Sequence, residues 1–199
     1  HNCLAESRRL ITDTPSKKNF SQHANILAVL EDVIPSVDQR AVMKTALADP
    51  TLSQATFYFR YYLHRALKKA GLGDEYVHQL EPWRQMLALG LTTWAENPEP
   101  SRSDCHAWSA HPNFDLLATV AGIEPAAPGF REVLIEPHLG PLTRVTASLP
   151  LPQGDITVAY ERKGEQLAAD ITLPENLSGS FVWRGKEVAL HGGRQHLEF

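Results

Sequence analysis

Up to about residue 123, apolar positions recur at helical spacing. Ile26, Leu27, Leu30, Val33 and Ile34 share a stripe in a segment that ends at Pro35. Phe59, Leu63 and Leu67 repeat the pattern before Gly71. Further helices are expected from about Glu75 to Leu89, stopped by Gly90, and from about Pro112 to Ala121, stopped by Gly122. Ser36-Val37-Asp38-Gln39 and Thr51-Leu52-Ser53-Gln54 have the capping-box form, a hydroxyl followed three residues later by Gln, and predict two helix starts. The sum is five antiparallel helices with short connections, several carrying apolar residues on more than one face. Such helices need partners, and beside a small β domain they suggest part of a helical toroid whose other helices lie upstream.

After Pro125 the period changes from helical to alternating. Val133 to Ile135, Arg144 to Leu149, Asp155 to Tyr160, Gln166 to Leu173 and Ser180 to Trp183 are short and rich in branched residues, with Gly, Pro and Asn turns between them. That rhythm predicts an antiparallel β-sandwich. Ile123 to Phe130 reads as a linker, so the expected division is a helical portion over 1–124 and a sandwich over 125–199. The fold class is therefore α+β and multidomain.

Composition narrows the function more than the fold. The 199 residues carry a formal net charge of −4 without any basic tract, which argues against nucleic acid or an anionic membrane as a partner. No apolar run reaches the roughly 18–20 residues that span a bilayer. His1-Asn2-Cys3-Leu4 has neither an initiator Met nor a signal pattern and reads as the interior of a longer chain, which leaves the compartment open. Cys3 and Cys105 are too few for a disulfide framework and are expected as free thiols.

Chemistry concentrates between Trp83 and His111, WRQMLALGLTTWAENPEPSRSDCHAWSAH. Three Trp, two His, Glu96, Glu99, Asp104 and Arg102 surround a helix end and a long Pro-containing loop, the kind of position where sites are built. Indole faces suit the C–H face of a pyranose, and carboxylates, Arg and His suit its hydroxyls. The spacing of Cys105, His106 and His111 matches neither a helical H-E-x-x-H nor paired C-x-x-C ligands, so no metal is expected.

The same segment resembles a known family. Gly90-Leu91-Thr92-Thr93-Trp94-Ala95-Glu96 is similar to the G-x-T-T-x-W-E motif of family-78 glycoside hydrolases, the bacterial α-L-rhamnosidases. Pro82-Trp83 and Ser103-Asp104-Cys105-His106 fall where that family has its Pro-Trp and His-ended elements. Val120-Ala121-Gly122-Ile123, Pro128-Gly129-Phe130 and Ile135-Glu136-Pro137 look like its passage from toroid to terminal sandwich. Trp94 stands one residue earlier than the family's aromatic, with Ala95 in that place.

The resemblance implies the last helices of an (α/α)6 toroid followed by a β-sandwich. It also implies inversion by two carboxyl groups about 6.5–9.5 Å apart, with no metal or organic cofactor. Glu96 takes the general base's position and His106 that of a histidine lining the sugar pocket. Trp94, Trp108 and Arg60 are the further candidate substrate contacts. The general acid of the family lies upstream, with no counterpart in residues 1–95, so the chain alone is expected to be inactive. Expected partners are rhamnose-containing glycosides or oligosaccharides and the upstream part of the parent chain. Exposed helix faces could also drive self-association. Two rivals stand: a non-catalytic carbohydrate-binding or interaction module on the sandwich, and a toroid glycosidase of other sugar specificity.

Overall fold

The computed structural model describes residues 3–5, 7–16 and 18–199; His1 and Asn2, on which the reading of the amino terminus rests, lie outside them. The chain forms two compact units, His1–Pro112 and Asn113–Phe199.

The first unit opens with β1 (Leu4–Ala5) paired antiparallel to β2 (Leu10–Ile11). It continues through α1 (Gln22–Leu30), α2 (Ser36–Ala48), α3 (Phe57–Lys69) and α4 (Glu81–Ala88). Ile26, Val29, Met43, Leu63 and Leu67 are fully buried in a core shared by α1, α2 and α3. Asn25, buried on α1, satisfies the edge of β2: its Oδ1 accepts from the Ile11 N–H at 2.9 Å and its Nδ2 donates to the Ile11 carbonyl at 3.0 Å. A side chain thus replaces a strand partner. Gln22 is spent in the same way, donating to the Ala46 carbonyl at 3.1 Å and accepting from the Ala55 N–H at 2.8 Å.

Local chemistry overrides several expectations. α1 stops at Leu30 rather than running to Ile34, because the Val33 and Ile34 N–H groups turn back onto the Ala28 carbonyl and Asp32 takes a positive φ of 53°. Neither capping box forms. Pro35 occupies the cap of α2, and the Gln39 amide donates instead to Asp32 and to the Ile34 carbonyl. Thr51 bonds Asp49 through its N–H and hydroxyl, and the Gln54 amide bonds the Asp49 and Leu52 carbonyls. These side-chain bonds close a turn, and α3 begins only at Phe57. The helix expected from Glu75 breaks into a 3-10 segment, Gly73–Leu80, and α4, because Pro82 fits only a first turn.

The short α5 (Pro112–Asp115) runs into a π-helical turn over Leu116–Val120. The second unit then forms β3 (Ile123–Pro125), β4 (Glu132–Ile135), β5 (Arg144–Leu151), β6 (Gly154–Lys163), β7 (Gln166–Leu173), β8 (Ser178–Trp183), β9 (Lys186–Leu190) and β10 (Gly193–Glu198). Two four-stranded sheets result, ordered β10-β7-β6-β5 and β3-β4-β8-β9. Their inner faces share one core: Ile156, Val158, Leu167, Ala169 and Ile171 from the first meet Val133, Ile135, Phe181 and Trp183 from the second.

Pairing is antiparallel except between β4 and β8, which run parallel, so the expected all-antiparallel sandwich needs that correction. A Cβ at Gly179 of β8 would sit 1.8 Å from the Val133 carbonyl oxygen, so only glycine allows that close approach. The expected linker is not free chain either: Ile123 is buried and pairs with Ile135.

Candidate functional site

Trp83 to His111 forms one braced loop system within the first unit. Trp83 on α4 is buried, 5.2 Å from the Phe57 ring, and its Nε1 donates to the Ser109 carbonyl at 2.7 Å. Ser109 is fully buried, and its hydroxyl donates back to the Ala95 carbonyl at 2.7 Å. The Met86 sulfur receives the Ala95 N–H at 3.3 Å. Two backbone bonds then zip the loop's arms together, Glu96 N–H to the Ser103 carbonyl at 2.8 Å and His106 N–H to the Trp94 carbonyl at 2.9 Å. Each of residues 94–96 therefore has a backbone group bonded to another part of the loop or to α4.

This bracing presents Glu96, which is 8% exposed. Arg102 closes a two-pronged fork on its carboxylate, with Nε donating to Oε2 at 2.9 Å and Nη2 to Oε1. His106 Nε2 stands 3.8 Å from Oε1. The His106 ring tilts against Trp108 with centroids 4.6 Å apart, and Trp108 meets Tyr58 of α3 edge-on at 5.6 Å. Trp108 and Tyr58 are 45% and 49% exposed, so a half-open aromatic wall adjoins the carboxylate. The Nδ1 of His106 is buried without a hydrogen-bond partner.

Glu96, His106 and Trp108 thus come together, and Trp94 joins them through its backbone. The Trp94 ring packs instead against the small core of Phe57, Trp83, Met86 and Ala95. Arg60 is half-buried on α3, where burial pushes its guanidinium below the ordinary value; among the described residues no hydrogen bond or ion pair joins it to Glu96 or His106. Ala95 and Asn97 line a groove of about 510 Å³ with Phe57, Met86 and Leu91. The His111 Nε2 lies 3.1 Å from the Phe57 carbonyl and its ring 5.1 Å from Trp83. The His23 ring tilts against Phe59, with centroids 4.3 Å apart. Both cysteines are free, Cys105 exposed beside His106.

Residues 122–196 match the family described as the bacterial alpha-L-rhamnosidase C-terminal domain. That segment belongs to this family. An alpha-L-rhamnosidase of Alteromonas sp. (strain LOR) is 34% identical over 188 residues, covering 83% of this chain but 20% of that protein. The chain therefore spans about a fifth of the length of that relative.

Among solved structures, the GH78-family rhamnosidase of Bacillus sp. GL1 aligns with a TM-score of 0.73 and 24% identity, covering 96% of this chain and 22% of that one. The alpha-L-rhamnosidase of Dictyoglumus thermophilum aligns at 0.79 and 18%, covering 99% and 26%. That of Streptomyces avermitilis, solved with L-rhamnose, aligns at 0.75 and 16%, covering 93% and 23%. The chain shares its fold with a part of each of these proteins.

Ser109 and Arg102 are the two site residues whose roles sequence reasoning missed. Ser109 stands in an unremarkable Ala-Trp-Ser-Ala run, and nothing local signals its burial. Arg102, six residues after Glu96 across a Pro-containing loop, carried a signal in its charge and spacing.

Proposed function

We propose that this chain is the C-terminal part of a longer glycoside hydrolase that releases terminal α-L-rhamnose from glycosides with inversion. In that reading residues 1–124 close an (α/α)6 toroid and 125–199 form the terminal sandwich. Glu96 is the general base: ionised, it takes a proton from the water that attacks the anomeric carbon. A carboxylic acid supplied by the upstream chain protonates the departing glycosidic oxygen from the opposite face. His106 and Trp108 receive the sugar, the imidazole through a hydroxyl and the indole through a C–H face. Trp94 acts through its backbone, which accepts the His106 N–H, rather than as a wall of that pocket. Rhamnose-containing glycosides or oligosaccharides are the substrates, and no step calls for a cofactor.

The observation that supports this reading is the low exposure of a braced carboxylate 3.8 Å from a histidine, beside a half-open aromatic wall. A merely solvated glutamate would need none of that bracing. Glu96→Gln in the full-length protein is expected to lower kcat on an aryl rhamnoside by about 10²–10⁴-fold with KM little changed. The 199-residue chain alone should not turn over. A near-wild-type kcat in the variant would remove Glu96 from its role, and full activity of the short chain would place the acid within it.

A further inference from the structure

From the fork on Glu96 we infer that Arg102 is a positioning residue for the general base, holding the carboxylate in the one orientation that leaves an oxygen free for water. The inference rests on the reading of Glu96 given above. The guanidinium takes one lone pair on each oxygen, with Nε at 2.9 Å from Oε2 and Nη2 on Oε1. Two such bonds fix the carboxylate plane, which one bond cannot do. Each oxygen keeps a second lone pair. The remaining one on Oε1 is on the oxygen nearest His106, whose Nε2 is 3.8 Å away, too far to claim it. The fork and the histidine thus leave that lone pair untaken, and it is assigned to the attacking water.

The ion pair is asymmetric: the Arg102 side chain is 79% exposed and that of Glu96 10%, so loss of the cation leaves a buried carboxylate without its partner and costs stability as well as positioning. The loop also has its own fasteners that do not involve this side chain: Ser103 carbonyl to Glu96 N–H, and the Ser101 hydroxyl to the Ser103 carbonyl at 2.8 Å. Arg102 can thus be removed with the backbone of residues 94–106 in place, leaving Glu96 free to rotate. A base misplaced by about 1 Å loses on the order of 10²-fold in rate.

The test is steady-state kinetics of Arg102→Met and Arg102→Lys in the full-length protein on an aryl α-L-rhamnoside, with thermal unfolding of each and with methylguanidine added to the Met variant. The expected result for Met is a kcat lower by about 10–100-fold, KM within about threefold, and a Tm lowered by several degrees that Lys largely restores. Lys recovers part of kcat and methylguanidine a further part, since either cation can hold one or both oxygens. An unchanged kcat overturns the inference. So does a raised KM at constant kcat, which would make Arg102 a substrate contact. A large loss of Tm without rescue by either cation overturns it too, as a purely structural role. If Glu96→Gln is itself near wild type, the general-base reading has failed instead, and the two failures are told apart by that variant.

Discussion

Replacing Ser109 by alanine removes one oxygen from a fully buried position and tests whether the bracing of residues 94–96 is as tight as its geometry implies. The lost hydroxyl donates to the Ala95 carbonyl at 2.7 Å, and the Ser109 carbonyl still receives the Trp83 indole N–H. A buried acceptor left without its donor costs about 1–3 kcal/mol. The alanine methyl leaves little space for water to replace the donor. In a unit of this size each kcal/mol moves Tm by about 4–8 °C, so Ser109→Ala should melt roughly 4–24 °C below wild type. An exposed control, Ser148→Ala on β5, should stay within about 0.5 kcal/mol. Differential scanning calorimetry of the 199-residue chain reads both. Combining Ser109→Ala with Trp83→Phe should cost less than the two single losses added, because they share one network. A Tm unchanged by Ser109→Ala, or strict additivity with Trp83→Phe, would refute the claim that these bonds act together.

Three further outcomes can be checked on the same chain. Gly122→Ala should destabilise the second unit by at least about 2 kcal/mol on strain alone, because its φ is 77° and a Cβ there would meet the Glu136 carbonyl carbon at 2.2 Å; urea unfolding measures it. Asn25→Ala should cost about 1–3 kcal/mol by leaving the Ile11 N–H and carbonyl unpaired, with faster amide exchange at Ile11 as its signature. On the sandwich surface, a hydrogen bond from His196 to Asp170 and then one to Glu198 raise the histidine above its ordinary 6.5, while His196 and then Arg194 lower Asp170 below 3.8. The histidine's contribution to stability is present below pH 6.5 and lost as pH rises through its raised folded value. That of Asp170 is present above pH 3.8 and lost as pH falls through its lowered one. The urea midpoint of wild type should therefore fall more than that of His196→Ala as pH rises from about 6 to 8; parallel curves would dismiss the pair.

The sandwich was legible in the sequence wherever burial alternates cleanly. Leu167, Ala169, Ile171 and Leu173 announce β7 to the residue, because one face is core and the other solvent. β9 and β10 escaped because their residues are mostly half-buried or exposed, and backbone pairing rather than apolar pattern defines them. β3 was hidden in a Pro-rich stretch whose composition says linker while Ile123 says core. In the helical unit the stripes were readable and the boundaries were not. Pro35, Asp32 and the Asp49 carboxylate settle the ends of α1, α2 and α3 by local hydrogen bonds that compete with capping. At the site, motif and spacing led to Glu96, His106 and Trp108 as a group. No sequence signal told that Trp94 would turn its ring to the core, or that Ser109 would carry the bracing, since both depend on how the loop folds back on α4.

The most direct test of Glu96 as general base is azide rescue of Glu96→Ala in the full-length protein. Azide needs no proton removed before it attacks, so it replaces the base-activated water while the upstream acid still protonates the leaving group. The variant should be nearly inactive in water, regain turnover with azide, and yield a rhamnosyl azide of anomeric configuration opposite to the substrate. Near-wild-type hydrolysis without azide, or an azide product that retains the substrate's configuration, would contradict the account.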